Sequence, residues 1–191
     1  MWGIETQRTM VRERMKLLLA AHDSDIVTET FTAEAGELLL RQGEPAKRVL
    51  LLTAGSVAIQ IRQNDETPHT LAVVEAEELL GEMGLFGNGL HSADVRVLGG
   101  PATLVAVAGD HLLQAMLFDT DLSIELLRLS SQRCLQGNEL VGHLLDGIQA
   151  AASGDHSLLA QSCSALRQHR HSIAEAADQL EALQQSPPIS P

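Results

Sequence analysis

Between about residues 26 and 108 the chain is broken by turn-forming residues at intervals of roughly 8–12 positions, too close for helices of ordinary length. The breaks are Ala35-Gly36, Gln42-Gly43-Glu44-Pro45, Ala54-Gly55, Asn64-Asp65, Gly87-Asn88-Gly89 and Gly99-Gly100-Pro101. They leave candidate strands at 26–31, 37–41, 48–53, 56–62, 69–74, 92–98 and 102–108. Val57, Ile59 and Ile61 alternate with Ala58, Gln60 and Arg62, as in a half-buried strand. Short strands at this spacing predict a double-sheet jelly roll, a double-stranded β-helix closed into a barrel.

Helical periodicity flanks this region, which makes the fold class α+β. Residues 1–24 hold an amphipathic helix at 4–21, with Ile4, Met10/Val11, Met15 and Leu18/Leu19 on one side. The β-roll domain occupies 25–118 and ends in a short helix from His111 to Leu117. Asp119-Thr120-Asp121 then caps a long helix at 119–150. In it Ile124, Leu127, Ser131, Cys134, Asn138, Val141, Leu145 and Ile148 recur at alternating spacings of three and four, a heptad seam. Such a seam either meets its own copy or lies on the chain's own β domain. The polar members Ser131, Cys134 and Asn138 fit a homodimer, in which polar groups set register. Cys134 then faces its copy, as a buried inert thiol or as a cross-dimer disulfide. A last helix spans about 156–185 within the segment 151–185, its stripe (Leu159, Cys163, Leu166, Ile173, Ala176/Ala177, Leu180, Leu183) packing on the helix before it as a hairpin. Residues 186–191 read as a flexible tail.

The richest stretch for function is Gly81 to Val95, GEMGLFGNGLHSADV. Met83-Gly84-Leu85-Phe86 makes one helical turn, whose first amides favour an anion. Gly84 lets a ligand approach the backbone. Glu82 is an acceptor for a sugar hydroxyl. Gly87-Asn88-Gly89 turns the chain, and His91 and Ser92 then face the phosphate. The stretch resembles the phosphate-binding cassette of the cyclic nucleotide-binding domain, as in bacterial catabolite activator proteins and cyclic-nucleotide-dependent kinases. That pattern is Gly-Glu-aliphatic-Ala/Gly-Leu, a variable turn, then Arg-Ser/Thr-Ala. Gly81, Glu82, Met83, Gly84, Leu85, Ser92 and Ala93 match it, and His91 stands where the pattern has arginine. Phe31, Gly36-Glu37, Gln42-Gly43-Glu44, Leu50-Leu51-Leu52 and Gly55-Ser56-Val57 match the family's strands and turns. Arg128 to Gln132 resembles the start of its dimer helix. The likeness covers about residues 25–140.

The resemblance implies that Glu82 binds the ribose 2′-hydroxyl and that Ser92 faces the cyclic phosphate. It implies a cyclic nucleotide ligand of the cAMP or cGMP class and no other cofactor. The arginine's role does not carry over intact, because a neutral imidazole offers one donor where guanidinium offers a planar fork. His91 therefore implies weakened or pH-dependent binding, a different ligand, or none, and Asp94 adds negative charge beside the anion site. If Asp94 alternates outward from Val95's inward face, that charge does little harm.

A net charge of −12 argues against a surface for nucleic-acid phosphates. The related transcription factors continue from the long helix into a winged helix-turn-helix. Here the residues after Ile148 read as a single helix, so the expectation is no DNA binding by this chain alone, with any output passing to a protein partner. Met1-Trp2-Gly3-Ile4-Glu5 lacks a signal pattern and no run approaches ~18 apolar residues, so the expectation is a cytoplasmic protein without a membrane span. Catalysis is not expected. The eight histidines put no His-x-His in a strand, and His169-x-His171 on a helix points its rings apart. Two readings remain: a ligand-driven regulatory module, or a dimeric scaffold with a vestigial pocket.

Overall fold

The computed structural model describes Glu13 and residues 28–62, 67–168 and 174–185. The N-terminal helix expected at 4–21 and the tail at 186–191 therefore lie outside the described residues, apart from Glu13. Two compact units divide near Ser131 and Gln132.

The first unit is an antiparallel sheet with helices after it. Its strands are β1 (Thr28–Ala33), β2 (Leu38–Leu40), β3 (Arg48–Ile61), β4 (His69–Glu75), β5 (Glu78–Leu80) and β6 (Asp94–Ala108). Helix α1 (Glu82–Phe86) interrupts them between β5 and β6, and α2 (Gly109–Phe118) and α3 (Thr120–Ser153) follow. The order is β1-β6-β3-β4, with β2 on β6 and β5 on β3. This is the expected α+β jelly roll.

Two expected turns are not turns. Residues 48–53 and 56–62 form the single strand β3, and 92–98 and 102–108 the single strand β6. The two long strands pair from Arg48↔Ala108 to Gln60↔Asp94, with register shifts on either side of Ala54. Gly55 takes φ 89, and a Cβ there would stand 2.8 Å from the Ala102 Cα. The glycine bends the strand pair where a bulge is needed, rather than ending it. The Thr53 hydroxyl donates to the Thr103 carbonyl (3.0 Å) and the Ser56 hydroxyl to that of Leu98 (3.3 Å), tying the bend across the pair. The short β5 was not expected, because Leu79 and Leu80 are flanked by acidic residues that mask a three-residue strand.

Val49 to Leu52 are buried on both faces of the sheet. Leu50 and Leu52 join Val57, Leu80, Val95, Val97 and Leu104 inside the roll. Val49 joins Leu79, Val107, Leu112, Ala115, Leu122, Leu126 and Leu129 beneath α2 and the start of α3. A run buried on two faces reads as continuously apolar, and burying each such leucine contributes roughly 1.5–3 kcal/mol.

In the second unit, α4 (His156–Gln168) and α5 (Ala174–Gln185) replace the single helix expected at 156–185. Leu159, Cys163, Leu166, Ala177 and Leu180 share a core with Leu140 and Ala150 of α3. Splitting the helix lets the two halves of its stripe bury against each other. The Arg167 guanidinium clasps Glu181 (2.7 Å) and Asp178 (2.6 Å) across the two helices.

The residues that α3 buries are not those of the heptad seam. Ile124, Leu127, Ser131, Cys134, Asn138, Val141, Leu145 and Ile148 are all exposed. The alternative of burial against the chain's own β domain falls instead to Leu122, Leu126 and Leu129. No described helix is long and apolar enough to cross a membrane.

Candidate functional site: the loop from Gly81 to Asp94

Strand β5, held on β3 by Leu50↔Leu80, delivers the chain to Gly81. Gly81 takes φ 89, a left-handed conformation that suits glycine. It turns the chain into α1 and sends Glu82 inward, where the carboxyl group is fully buried in the helix's first turn. A negative charge there sits favourably with respect to the helix dipole.

The way back is a tight loop. The Gly89 amide donates to the Gly84 carbonyl (3.0 Å) and the Leu90 amide to the Asn88 side chain (3.1 Å). The segment then zips onto the loop after β2. The Ala46 amide donates to Gly89, the His91 amide to Glu44 and the Gly43 amide to His91, all at 2.8–2.9 Å. The sequence marked Gln42 to Pro45 only as a turn, whereas in the fold it is the wall of the cassette.

Gly84 is buried at the contact between α1 and this return segment. A Cβ there would lie 2.5 Å from the Leu90 carbonyl oxygen and 2.9 Å from the Ala46 Cβ. Gly84 thus permits a close approach of the cassette to its own return segment. Leu85 points down into the core beneath α2, while Met83 and Phe86 face outward. Ser92 is exposed and Ala93 half-buried.

His91 is 6 % exposed, and its ring lies against Gly81, with Cε1 3.2 Å from where a Gly81 Cβ would stand. Among the described residues nothing bonds to its Nδ1. Burial, followed by the nearby positive charge of Arg48, pushes its pKa below the usual histidine value, and Glu44 opposes them. With its pKa lowered, the His91 imidazole is predominantly neutral at pH 7. A histidine with a depressed folded-state pKa takes up protons more readily once unfolded. Its contribution to stability is intact above the unfolded value near ~6.5 and falls away as pH drops below it. We expect the midpoint of thermal unfolding to fall between pH 6.5 and 5 in the wild type, and to fall less in His91→Gln. Parallel pH profiles for the two proteins would contradict this.

Asp94 does alternate away from Val95, yet it is 1 % exposed rather than open to solvent. Its carboxylate accepts the Gln42 amide (2.7 Å) and the Arg62 guanidinium (2.8 and 3.0 Å). The Arg62 amide in turn donates to the Gln42 side chain (2.7 Å). Sequence reasoning named Asp94 but missed Arg62 and Gln42, because these partners lie 32 and 52 residues away. Only the register Gln60↔Asp94 brings them together.

The structure thus gathers Gly81, Glu82, Gly84, Leu85 and His91 into one packed unit, with Ser92 and Ala93 on its rim. Residues 30–117 match the family model of the cyclic nucleotide-binding domain. Solved structures agree on the fold. The Thermus thermophilus catabolite activator protein is 17% identical, with a TM-score of 0.57, covering 91% of this chain and 94% of that one. The c-di-GMP-responsive global regulator CLP of Xanthomonas campestris is 21% identical, TM-score 0.57, over 75% of this chain and 70% of its own. The sensor domain of the transcriptional regulator DNR from Pseudomonas aeruginosa is 21% identical, TM-score 0.52, over 67% and 93%. No curated protein sequence matches this chain.

Proposed function

We propose that this domain is a regulatory module that binds a small anionic ligand of the cAMP or cGMP class weakly, and that it works in the cytoplasm as a homodimer. The observation that carries the reading is Glu82. A carboxylate wholly inside the protein, at the first turn of a cassette helix, is an acceptor placed for a sugar hydroxyl. Ser92 and the first amides of α1 take the phosphate side. Weak binding follows from His91, which is neutral and buried where the family's pattern has arginine. A hydrogen bond to a charged group contributes about 1.5–3 kcal/mol, so its loss weakens binding by roughly ten- to a hundredfold.

The response passes through the helices to a protein partner. A ligand does this only by favouring one of two arrangements over the other. The exposed seam of α3 meets the same seam on a second copy, and α4 and α5 present the surface that a partner reads. This is a binding module rather than a catalyst, and it does not read DNA by itself. The second reading, a dimeric scaffold that has lost its ligand, is favoured by the inward-packed His91 ring.

Calorimetric titration with cyclic AMP, cyclic GMP and cyclic dinucleotides separates the two. We expect micromolar or weaker binding of one mononucleotide, and binding about tenfold tighter in His91→Arg. A folded protein that gives no heat with any of them, before and after that substitution, is the scaffold.

A further inference from the structure

Asp94 places a buried carboxylate two residues beyond Ser92, a span of at most about 7 Å between Cα atoms. That is within the ~8 Å over which charges act at physiological salt, and a protein interior screens less than water does. Left alone, this carboxylate would repel a cyclic phosphate held at Ser92. It is not left alone, because both of its oxygens lie within 3.0 Å of the Arg62 guanidinium, which is itself anchored through its amide to Gln42. Arg62 is about one-third exposed, so it reaches Asp94 from the solvent side.

We propose that Arg62 is a specificity-determining residue of the cassette: by neutralising Asp94 it makes the site beside Ser92 tolerant of an anion. The inference rests on the ligand class proposed above. Arg62 need not touch the ligand, since its guanidinium is held on the Asp94 carboxylate. Asp94 pairs with Gln60 on the pleat opposite Val95 and Ile59, whose side chains belong to the interior of the roll. Arg62 acts through Asp94.

The test is titration of wild-type protein, Arg62→Gln, Arg62→Lys and the double variant Arg62→Gln/Asp94→Asn, with cyclic AMP, cyclic GMP and adenosine. Arg62→Gln is expected to weaken cyclic nucleotide binding about tenfold and to leave adenosine, which has no phosphate, unchanged. Arg62→Lys is expected to keep the affinity and the double variant to recover it. Equal affinity in Arg62→Gln, or loss for cyclic nucleotide and adenosine alike, overturns the masking role while leaving the ligand reading intact. Absence of binding in wild type and in His91→Arg overturns both. Should Arg62→Gln not fold, Asp94→Asn decides: it is expected to bind at least as tightly as wild type, and weaker binding overturns the proposal.

Discussion

Gly84→Ala is expected to lower the stability of the domain by about 2–3 kcal/mol, a fall in the unfolding midpoint of roughly 5–10 °C. The added methyl meets the Leu90 carbonyl oxygen at 2.5 Å and the Ala46 methyl at 2.9 Å. Neither neighbour is free to yield, because Leu90 is bridged to Pro45 and Ala46 is hydrogen-bonded to Gly89. Gly89→Ala provides the contrast. Nothing lies within 4 Å of its Cβ position, so its cost is the strain of φ 80 alone, about 1–2 kcal/mol. Thermal melts of the two variants compare steric with conformational cost. If Gly84→Ala leaves the melt unchanged and only removes ligand binding, then the glycine serves the ligand and the packing argument fails.

Leu127→Asp/Val141→Asp is expected to convert a dimer into a monomer without unfolding it. Both side chains are exposed in the single chain, at 67% and 54%, so a polar replacement removes nothing from either core. Exposed substitutions of this kind change folding stability by about 0.5 kcal/mol or less. In a dimer the same positions lie on the seam, seven residues from Cys134 on either side. Burying four such side chains, two from each copy, contributes roughly 6 kcal/mol or more, and facing carboxylates add repulsion. Loss of that contribution weakens association by about four orders of magnitude. Analytical ultracentrifugation reads the outcome directly. A wild-type protein that is monomeric at tens of micromolar would overturn the dimer.

How much of this was readable in the sequence depended on the range of the interaction. The heptad of α3 and the turn after Gly81 are local patterns, and they were legible because a helix repeats every few residues and a left-handed turn selects glycine. Gly55 and Gly99-Gly100-Pro101 carried the same local signal but a different meaning. A glycine at φ 89 can close a turn or bend a continuous strand, and the neighbour that decides, Ala102, lies 47 positions along the chain. The break between α4 and α5 had a faint signal in Ser172-Ile-Ala-Glu175, which has the capping-box pattern, yet the apolar stripe running through it argued for one helix. Residues 169–173 lie outside the described residues, so the break is seen only from its two flanks.

By itself the sequence determined the fold class and the apolar stripe along α3 through turn spacing and short-range periodicity, while the resemblance to the family's cassette singled out its glycines, Glu82 and the histidine at position 91. Tertiary structure alone decided that Gly84 packs against the cassette's own return segment, that His91 packs inward with its pKa lowered by burial, and that Asp94 is covered by Arg62 and Gln42. These properties depend on burial and on charges brought together by the pairing of β3 with β6, and both are set by packing between residues far apart in the chain.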